Sequence, residues 1–254
     1  MPEFSANLGF LWTELPLPDA IRAAHGAGFA AVECHWPFDV SADAVRAALT
    51  ETGLPMLGLN TRRGQPGENG LAALVGREAE ARAAIDEAIA YATAIDCGNI
   101  HVMAGFTARD AAADAVFCEN LAYAADAAAA AGKTILIEPL NHRDAPGYHL
   151  SDVDHAARVL AAVAAPNLKI MFDCYHVQIM QGDLITRLRA ALPDIGHIQI
   201  AAVPDRGEPD AGEVSYGHVL AEIDALGWAV PIGAEYRPRG TTDAGLSWMA
   251  PYRR

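Results

Sequence analysis

Short apolar runs recur along this chain, and each is followed by a stretch rich in alanine and leucine that is long enough for a helix. The strand-type runs fall at 4–8 (FSANL), 30–35 (AAVECH), 55–60 (PMLGLN), 99–105 (NIHVMAG), 134–139 (TILIEP), 168–173 (LKIMFD), 196–201 (GHIQIA) and 231–236 (PIGAEY). Helix-type stretches lie between and after them, at 17–26, 41–52, 76–96, 110–131, 151–164, 176–191, 215–226 and 242–249. Strands without a wide polar face, alternating with helices, predict a parallel sheet covered by helices. Eight such units predict closure into an α/β fold of the (β/α)8 TIM barrel type.

Punctuation supports this division. Gly53, Gly98, Gly132 and Gly227 stand at helix-to-strand junctions, where a left-handed C-cap is expected. Ser41 and Ser151 are candidate N-caps. A doubly wound sheet is less favoured, because ANLGFLW after the first strand holds one glycine and no nucleotide-binding fingerprint. A chain of 254 residues without a composition break reads as a single domain over 1–254. The longest connection, TRRGQPGENGLAALVG at 61–76, is glycine-rich and follows the third strand, a place where a barrel often puts a functional loop.

Composition excludes several partners. No segment reaches the roughly 18 consecutive apolar residues of a membrane span, and MPEFSANLGF lacks the basic start and apolar core of a signal peptide. Cys34, Cys97, Cys118 and Cys174 are scattered without C-x-x-C spacing, which argues for reduced thiols and a cytoplasmic location. A formal net charge of −14 opposes nucleic acid as a partner. It leaves a small anionic substrate open, since local cations can override the global field.

In a barrel the chemistry sits at the C-terminal ends of the strands. The polar residues there are Asn7, Glu33, His35, Asn60, His101, Glu138, Asp173, Gln199 and Glu235. The last four come one each from strands five to eight. Neighbouring strands lie about 4.8 Å apart, so these side chains can meet at one point. Three carboxylates meeting there would repel unless a cation sits among them. Three carboxylates and one amide oxygen suit a hard divalent ion, Mg²⁺ or Mn²⁺ before Zn²⁺. His176 follows Asp173 by three residues and can donate to a substrate oxygen. Arg206 offers a planar fork for a carboxylate, with Glu208 two residues on. His101 is a further candidate for the substrate pocket. For His142 and His149, in the loop after Glu138, ligand-facing and structural roles both stay open.

The segments FSANL, AAVECHWPFD, IEPLNHRDAPGYHL, LKIMFDCYH, GHIQIAAVPDRGEPDAGEVSY and AEY, in this order, resemble the hydroxypyruvate isomerase family of xylose isomerase-like TIM barrels. The resemblance implies a divalent metal held by Glu138, Asp173, Gln199 and Glu235. It implies acid/base roles for Glu138 and Glu235, and a substrate-facing position for His176 and Arg206. One departure stands out. The loop NTRRGQPGENG carries Arg62 and Arg63 where related chains carry a Trp- and acid-containing stretch.

The implied reaction exchanges an α-hydroxy ketone for an α-hydroxy aldehyde through an enediolate, with hydroxypyruvate and 2-hydroxy-3-oxopropanoate (tartronate semialdehyde) as the expected pair. The expected partner is therefore a small hydroxy-keto acid or sugar, and homo-oligomerisation stays open. Alternatives are a 2-oxo-tetronate or other sugar-acid isomerase, a ketose 3-epimerase with the same metal, and, remotely, a metal-dependent DNA-repair endonuclease. A carboxylate substrate predicts that Arg62, Arg63 or Arg206 points inward.

Overall fold

The computed structural model describes residues 2–252, so residues 1, 253 and 254 of the expected 1–254 domain lie outside the described residues. Eight parallel strands form one sheet: β1 (Phe4–Asn7), β2 (Ala31–Glu33), β3 (Gly58–Asn60), β4 (Asn99–His101), β5 (Thr134–Ile137), β6 (Leu168–Asp173), β7 (Ile195–Ile200) and β8 (Ile232–Ala234). Apart from β2 and β3, each strand pairs with its sequence neighbours, and β1 also pairs with β8, Ser5 lying opposite Gly233. The gap between β2 and β3 is bridged by Val32 and Met56. Backbone bonds from Cys34 to Gly58 at 3.0 Å and from Asn60 to His35 at 2.9 Å extend that bridge. The result is a single-domain TIM barrel.

The strands are shorter than the apolar runs that announce them. β5 stops at Ile137 and β8 at Ala234, so Glu138 and Glu235 sit just past their strands. Asp173 is the last residue of β6, and Gln199 lies opposite it in β7. Four polar side chains therefore leave the sheet at one level. Isoleucines 100, 135, 170 and 198 are fully buried in the strands.

Helices α1 (Leu17–Gly26), α2 (Ala42–Thr52), α3 (Glu78–Ala94), α4 (Ala111–Ala130) and α5 (Val153–Val163) cover the first five strands. The stretch at 176–191 is not one helix. It divides into α6 (Cys174–Met180) and α7 (Leu184–Ala191), because Gly182 and Asp183 take left-handed φ values of 64° and 52° between them. The shell is completed by α8 (Tyr216–Ala225), and by α9 (Thr242–Gly245), which runs into a 3-10 helix at Leu246–Tyr252. The alanine-rich α4 buries Phe117 and Leu121 together with Ala124 and Ala128, whose small side chains allow close approach to its neighbours.

The caps correct two expectations. Gly53 is the left-handed C-cap of α2, and Gly132 and Gly227 are left-handed after α4 and α8. After α3 the left-handed residue is Asp96 rather than Gly98. Ser41 occupies the N-cap position of α2 without a side-chain bond. Ser151 is displaced by Asp152, whose carboxylate accepts the His155 N–H at 2.7 Å and caps α5.

The 61–76 loop is tied down. The N–H groups of Leu71 and Ala72 both donate to the Met103 carbonyl at 3.2 Å, and Ala73 donates to Ala104 at 2.8 Å. Gly70 makes this possible: its φ is +111°, and a Cβ there would stand 2.3 Å from the Met103 oxygen. Gly70→Ala should therefore destabilise the chain by about 2 kcal/mol or more. Denaturant unfolding of the variant beside the parent measures it, and an unchanged midpoint would refute the loop's dependence on this glycine.

Candidate active site

The C-terminal mouth of the barrel encloses a cavity of about 170 Å³ lined by Glu138, His101, His176, Arg206 and Glu235, with Phe10, His35, Trp36, Arg63 and Arg237 toward its rim. One ligand atom each from Glu138, Asp173, His176 and Glu235 lies within 4.8 Å of the others, and all four residues are buried. Three of the four residues expected from the sequence, Glu138, Asp173 and Glu235, thus meet together with His176, while Gln199 lies in register beside Asp173.

Each carboxylate is held differently. Asp173 is the N-cap of α6: one oxygen accepts the Tyr175 N–H at 2.9 Å, while Oδ2 has no hydrogen-bond partner. Burial, and then the charge of Glu235, push its carboxyl up to about 8. Glu138 Oε1 is also unpartnered. Burial, with Glu235 and Asp173 adding, raises Glu138 well above the usual carboxylate range. Burial alone would raise Glu235 too, but Arg206 outweighs it and, with His35, holds Glu235 well below that range. Its Oε2 pairs with Arg206, and its Oε1 accepts the Asn7 amide at 3.0 Å and lies 3.2 Å from His35 Nε2.

His176 turns its Nε2–H toward the carboxylates. His176 Nδ1 accepts the backbone N–H of Asn141 at 2.9 Å, which leaves the proton on Nε2. That nitrogen stands 3.5 Å from Asp173 Oδ2 and 3.8 Å from Glu138 Oε1. Burial, then the charge of Arg206, lowers His176 well below its ordinary value. Burial takes His101 down to about 4, and its Nδ1 lies 3.5 Å from Glu138 Oε2.

Arg206 sits deep in the site. Its guanidinium lies between the rings of Phe10 and Tyr175, at 4.8 and 4.9 Å, and reaches Asp144 at 3.3 Å as well as Glu235. The backbone at Arg206 is left-handed, with φ +57°. This turn sends Arg206 inward and Glu208 away. Glu208 accepts the Arg239 N–H at 3.0 Å and pairs with the Arg239 side chain at 3.2 Å. It is thus not among the cavity-lining residues. Arg62 turns outward to Glu87 at 2.7 Å. Arg63 lies over Trp36 at 4.4 Å and lines the cavity. His142 is exposed beside Met180, and His149 lies outside the cavity. Asp144 bonds Arg206 and the Tyr175 hydroxyl.

Beneath the cavity Glu33 organises a polar layer. It accepts from Ser5 at 3.2 Å, Asn7 at 3.0 Å and Gln199 Nε2 at 2.8 Å, and it meets His197. Burial opposes its ionisation, but His197 and Gln199 hold it below its ordinary value. Gly233 leaves room for this layer, since a Cβ there would lie 2.6 Å from Gln199 and 2.7 Å from Glu33. Strand-end polarity marks Asn7, Glu33 and His35 in the sequence, and Arg237 could have been found two residues after Glu235. Nothing in the sequence marks Phe10 or Tyr175 as the walls around Arg206.

Bonding Nε2 of Gln199 to Glu33 turns its Oε1 outward, and that oxygen too is buried without a partner. Glu138 Oε1, Asp173 Oδ2 and Gln199 Oε1 are hard oxygen acceptors that no protein donor satisfies, so these residues fit a divalent cation. Glu33→Ala, which would leave Gln199, His197 and Asn7 without their shared acceptor, should cost about 3 kcal/mol of stability. Thermal unfolding tests this; a Tm equal to the parent's would show that the layer is not held by Glu33.

Comparison with known proteins places the chain. Residues 21–252 match the family described as xylose isomerase-like TIM barrel. The chain is 48% identical to the 2-oxo-tetronate isomerase of Cupriavidus necator, with 99% of each chain covered. It is 38% identical to the hydroxypyruvate isomerase of Escherichia coli over 100% of both. The crystal structure of an AP endonuclease, family 2, from Brucella melitensis superposes with a TM-score of 0.96 at 41% identity, covering 100% of both chains. The chain belongs to the xylose isomerase-like TIM barrel family, among its hydroxypyruvate and 2-oxo-tetronate isomerases, and is an isomerase.

Proposed function

We infer that this isomerase moves a carbonyl between neighbouring carbons of a short 2-oxo-3-hydroxy acid, with hydroxypyruvate to 2-hydroxy-3-oxopropanoate as the first reading. The observation that carries this is the buried meeting of Glu138, Asp173, His176 and Glu235 at the strand ends, with unpartnered oxygens facing one point. Glu138, Asp173, Gln199 and Glu235 would hold the cation, Mg²⁺ or Mn²⁺. When bound it would supply Lewis-acid polarisation of the substrate carbonyl and compensate charge on the enediolate.

The chain's own residues do the rest. One of Glu138 and Glu235 removes the proton from C3, and a glutamate returns a proton to C2. Arg206 keeps Glu235 ionised and fixed in place. The Nε2–H of His176 is placed to donate to a substrate oxygen, and the apolar faces of Phe10 and Trp36 help to exclude water. Arg63, which lines the cavity as Arg237 does, is the cation available to a substrate carboxylate, because Arg206 is engaged by Glu235 and Asp144.

A second reading is 2-oxo-tetronate, in which the same C3 proton moves to C2 and C3 carries a hydroxymethyl group instead of hydrogen. The 48% identity to a 2-oxo-tetronate isomerase favours it. A panel of C3 to C6 keto acids and ketoses with Mn²⁺ distinguishes the two by kcat/KM, and turnover of neutral ketoses alone would reject both.

Glu138→Gln and Glu235→Gln should each nearly abolish isomerisation while leaving the unfolding transition in place; activity near the parent's in either would remove its acid/base role. EDTA should inactivate the enzyme, with Mn²⁺ or Mg²⁺ restoring it, and indifference to EDTA would end the metal argument. Arg63→Ala should raise KM for the keto acid about tenfold, the loss of one charge-assisted contact, and leave any activity on neutral ketoses unchanged.

A further inference from the structure

A second group of metal-ligating side chains lies outside the cavity. Asp114 in the first turn of α4, His149 in the loop after β5 and His155 in the first turn of α5 bring one ligand atom each within 4.8 Å of the others. His149 Nε2 lies 3.0 Å and His155 Nε2 2.9 Å from the same oxygen, Asp114 Oδ1. We propose that Asp114, His149 and His155 form a second metal site, selective for a borderline divalent ion such as Zn²⁺ and separate from the hard-oxygen site in the barrel mouth.

Three observations carry it. His149 is completely buried, and its ring meets only Asp114 and the Ala108 backbone, neither in good hydrogen-bond geometry. An unsatisfied buried polar group costs about 1–3 kcal/mol, and an ion accepting the Nε2 lone pair removes that cost. The spacing also suits a small ion. Donors about 2.0–2.1 Å from a tetrahedral Zn²⁺ lie roughly 3.3 Å from one another, close to the separations from Asp114 Oδ1. Finally, the donor chemistry differs from the mouth: two imidazoles and one carboxylate favour zinc-like ions over Mg²⁺. Burial keeps His149 neutral by lowering its affinity for protons, as a ligand requires.

The setting fits a structural ion. Asp114 is half exposed, with 48% of its side chain accessible, so it gives an entry path and leaves a position for water. The Phe117 ring packs edge-on against His149 at 5.5 Å and closes the inner side. The ion would join the α4 and α5 N-termini to the loop that sends Asn141 to His176 and Asp144 to Arg206. Its effect would therefore be on stability and loop order, with no part in proton transfer.

The test separates the two sites. Metal-stripped parent protein titrated with Zn²⁺ should bind two ions per chain. The Glu138→Gln/Glu235→Gln double variant should still bind one, and Co²⁺ in its place should give the visible absorption of a tetrahedral nitrogen and oxygen site. Adding either His155→Gln or Asp114→Asn to that double variant should weaken Co²⁺ binding at least tenfold and remove the rise in Tm that Zn²⁺ produces. In the otherwise unchanged chain, His155→Gln should retain isomerase activity with Mn²⁺. A double variant that binds no Co²⁺, or binding unaffected by both added substitutions, would overturn the proposal and leave a hydrogen-bonded His–Asp–His cluster. Parent protein with its mouth saturated by Mn²⁺ should still bind one Zn²⁺, and binding of none would overturn the proposal even if a variant fails to fold.

Discussion

The barrel buries Glu33, Glu138, Asp173 and Glu235 around its mouth, and much of the surrounding architecture answers that burden. A carboxylate removed from water costs several kcal/mol unless opposite charge or donors replace the solvent. Glu33 is compensated by the amides of Asn7 and Gln199, the Ser5 hydroxyl and His197. Glu235 has Arg206, Asn7 and His35. Asp173 has a helix N-terminus on one oxygen, and the other makes no hydrogen bond, with His176 Nε2 at 3.5 Å and Arg206 at 3.6 Å. Glu138 lacks a hydrogen-bonded partner on Oε1. Compensation falls away toward a single spot, which is where a cation and a substrate would have the most to gain.

The eight-fold alternation was legible because each strand is a compact apolar run and each helix a longer one, so the two periodicities never compete. Glu138, Asp173, Gln199 and Glu235 were legible for the same reason, since polar residues ending apolar runs on successive strands must emerge at one rim. The break between α6 and α7 was less visible. Gly182 alone does not end a helix, and the left-handed Asp183 beside it has no strong signature. Glu208 shows another limit. Two residues from Arg206, it shares a short polar motif, yet the left-handed backbone at Arg206 separates their directions. Spacing along a loop carries little information about direction when one backbone angle can reverse it.

The two arginines after β3 also divide by packing. Arg62 covers Phe38 at 4.8 Å and pairs with Glu87, whereas Arg63 covers Trp36 and faces the cavity. Neighbouring residues in extended backbone point to opposite sides, so a doublet offers one side chain to each face. A Trp and a guanidinium then form one wall, apolar across the ring and cationic at the edge. Such a wall suits a small polar acid better than an uncharged sugar, in keeping with the acid-directed isomerases to which the chain is similar.

Asp173 connects this chemistry to the shell of the barrel. It caps α6 through the N–H of Tyr175, the Tyr175 ring covers Arg206, and Arg206 returns to within 3.6 Å of Asp173. The three residues form a closed circuit in which a strand end, a helix start and a loop each locate the next. A displacement of any one is felt by the other two, so the mouth behaves mechanically as a keystone: it carries no independent lever, and its geometry survives or fails as one piece.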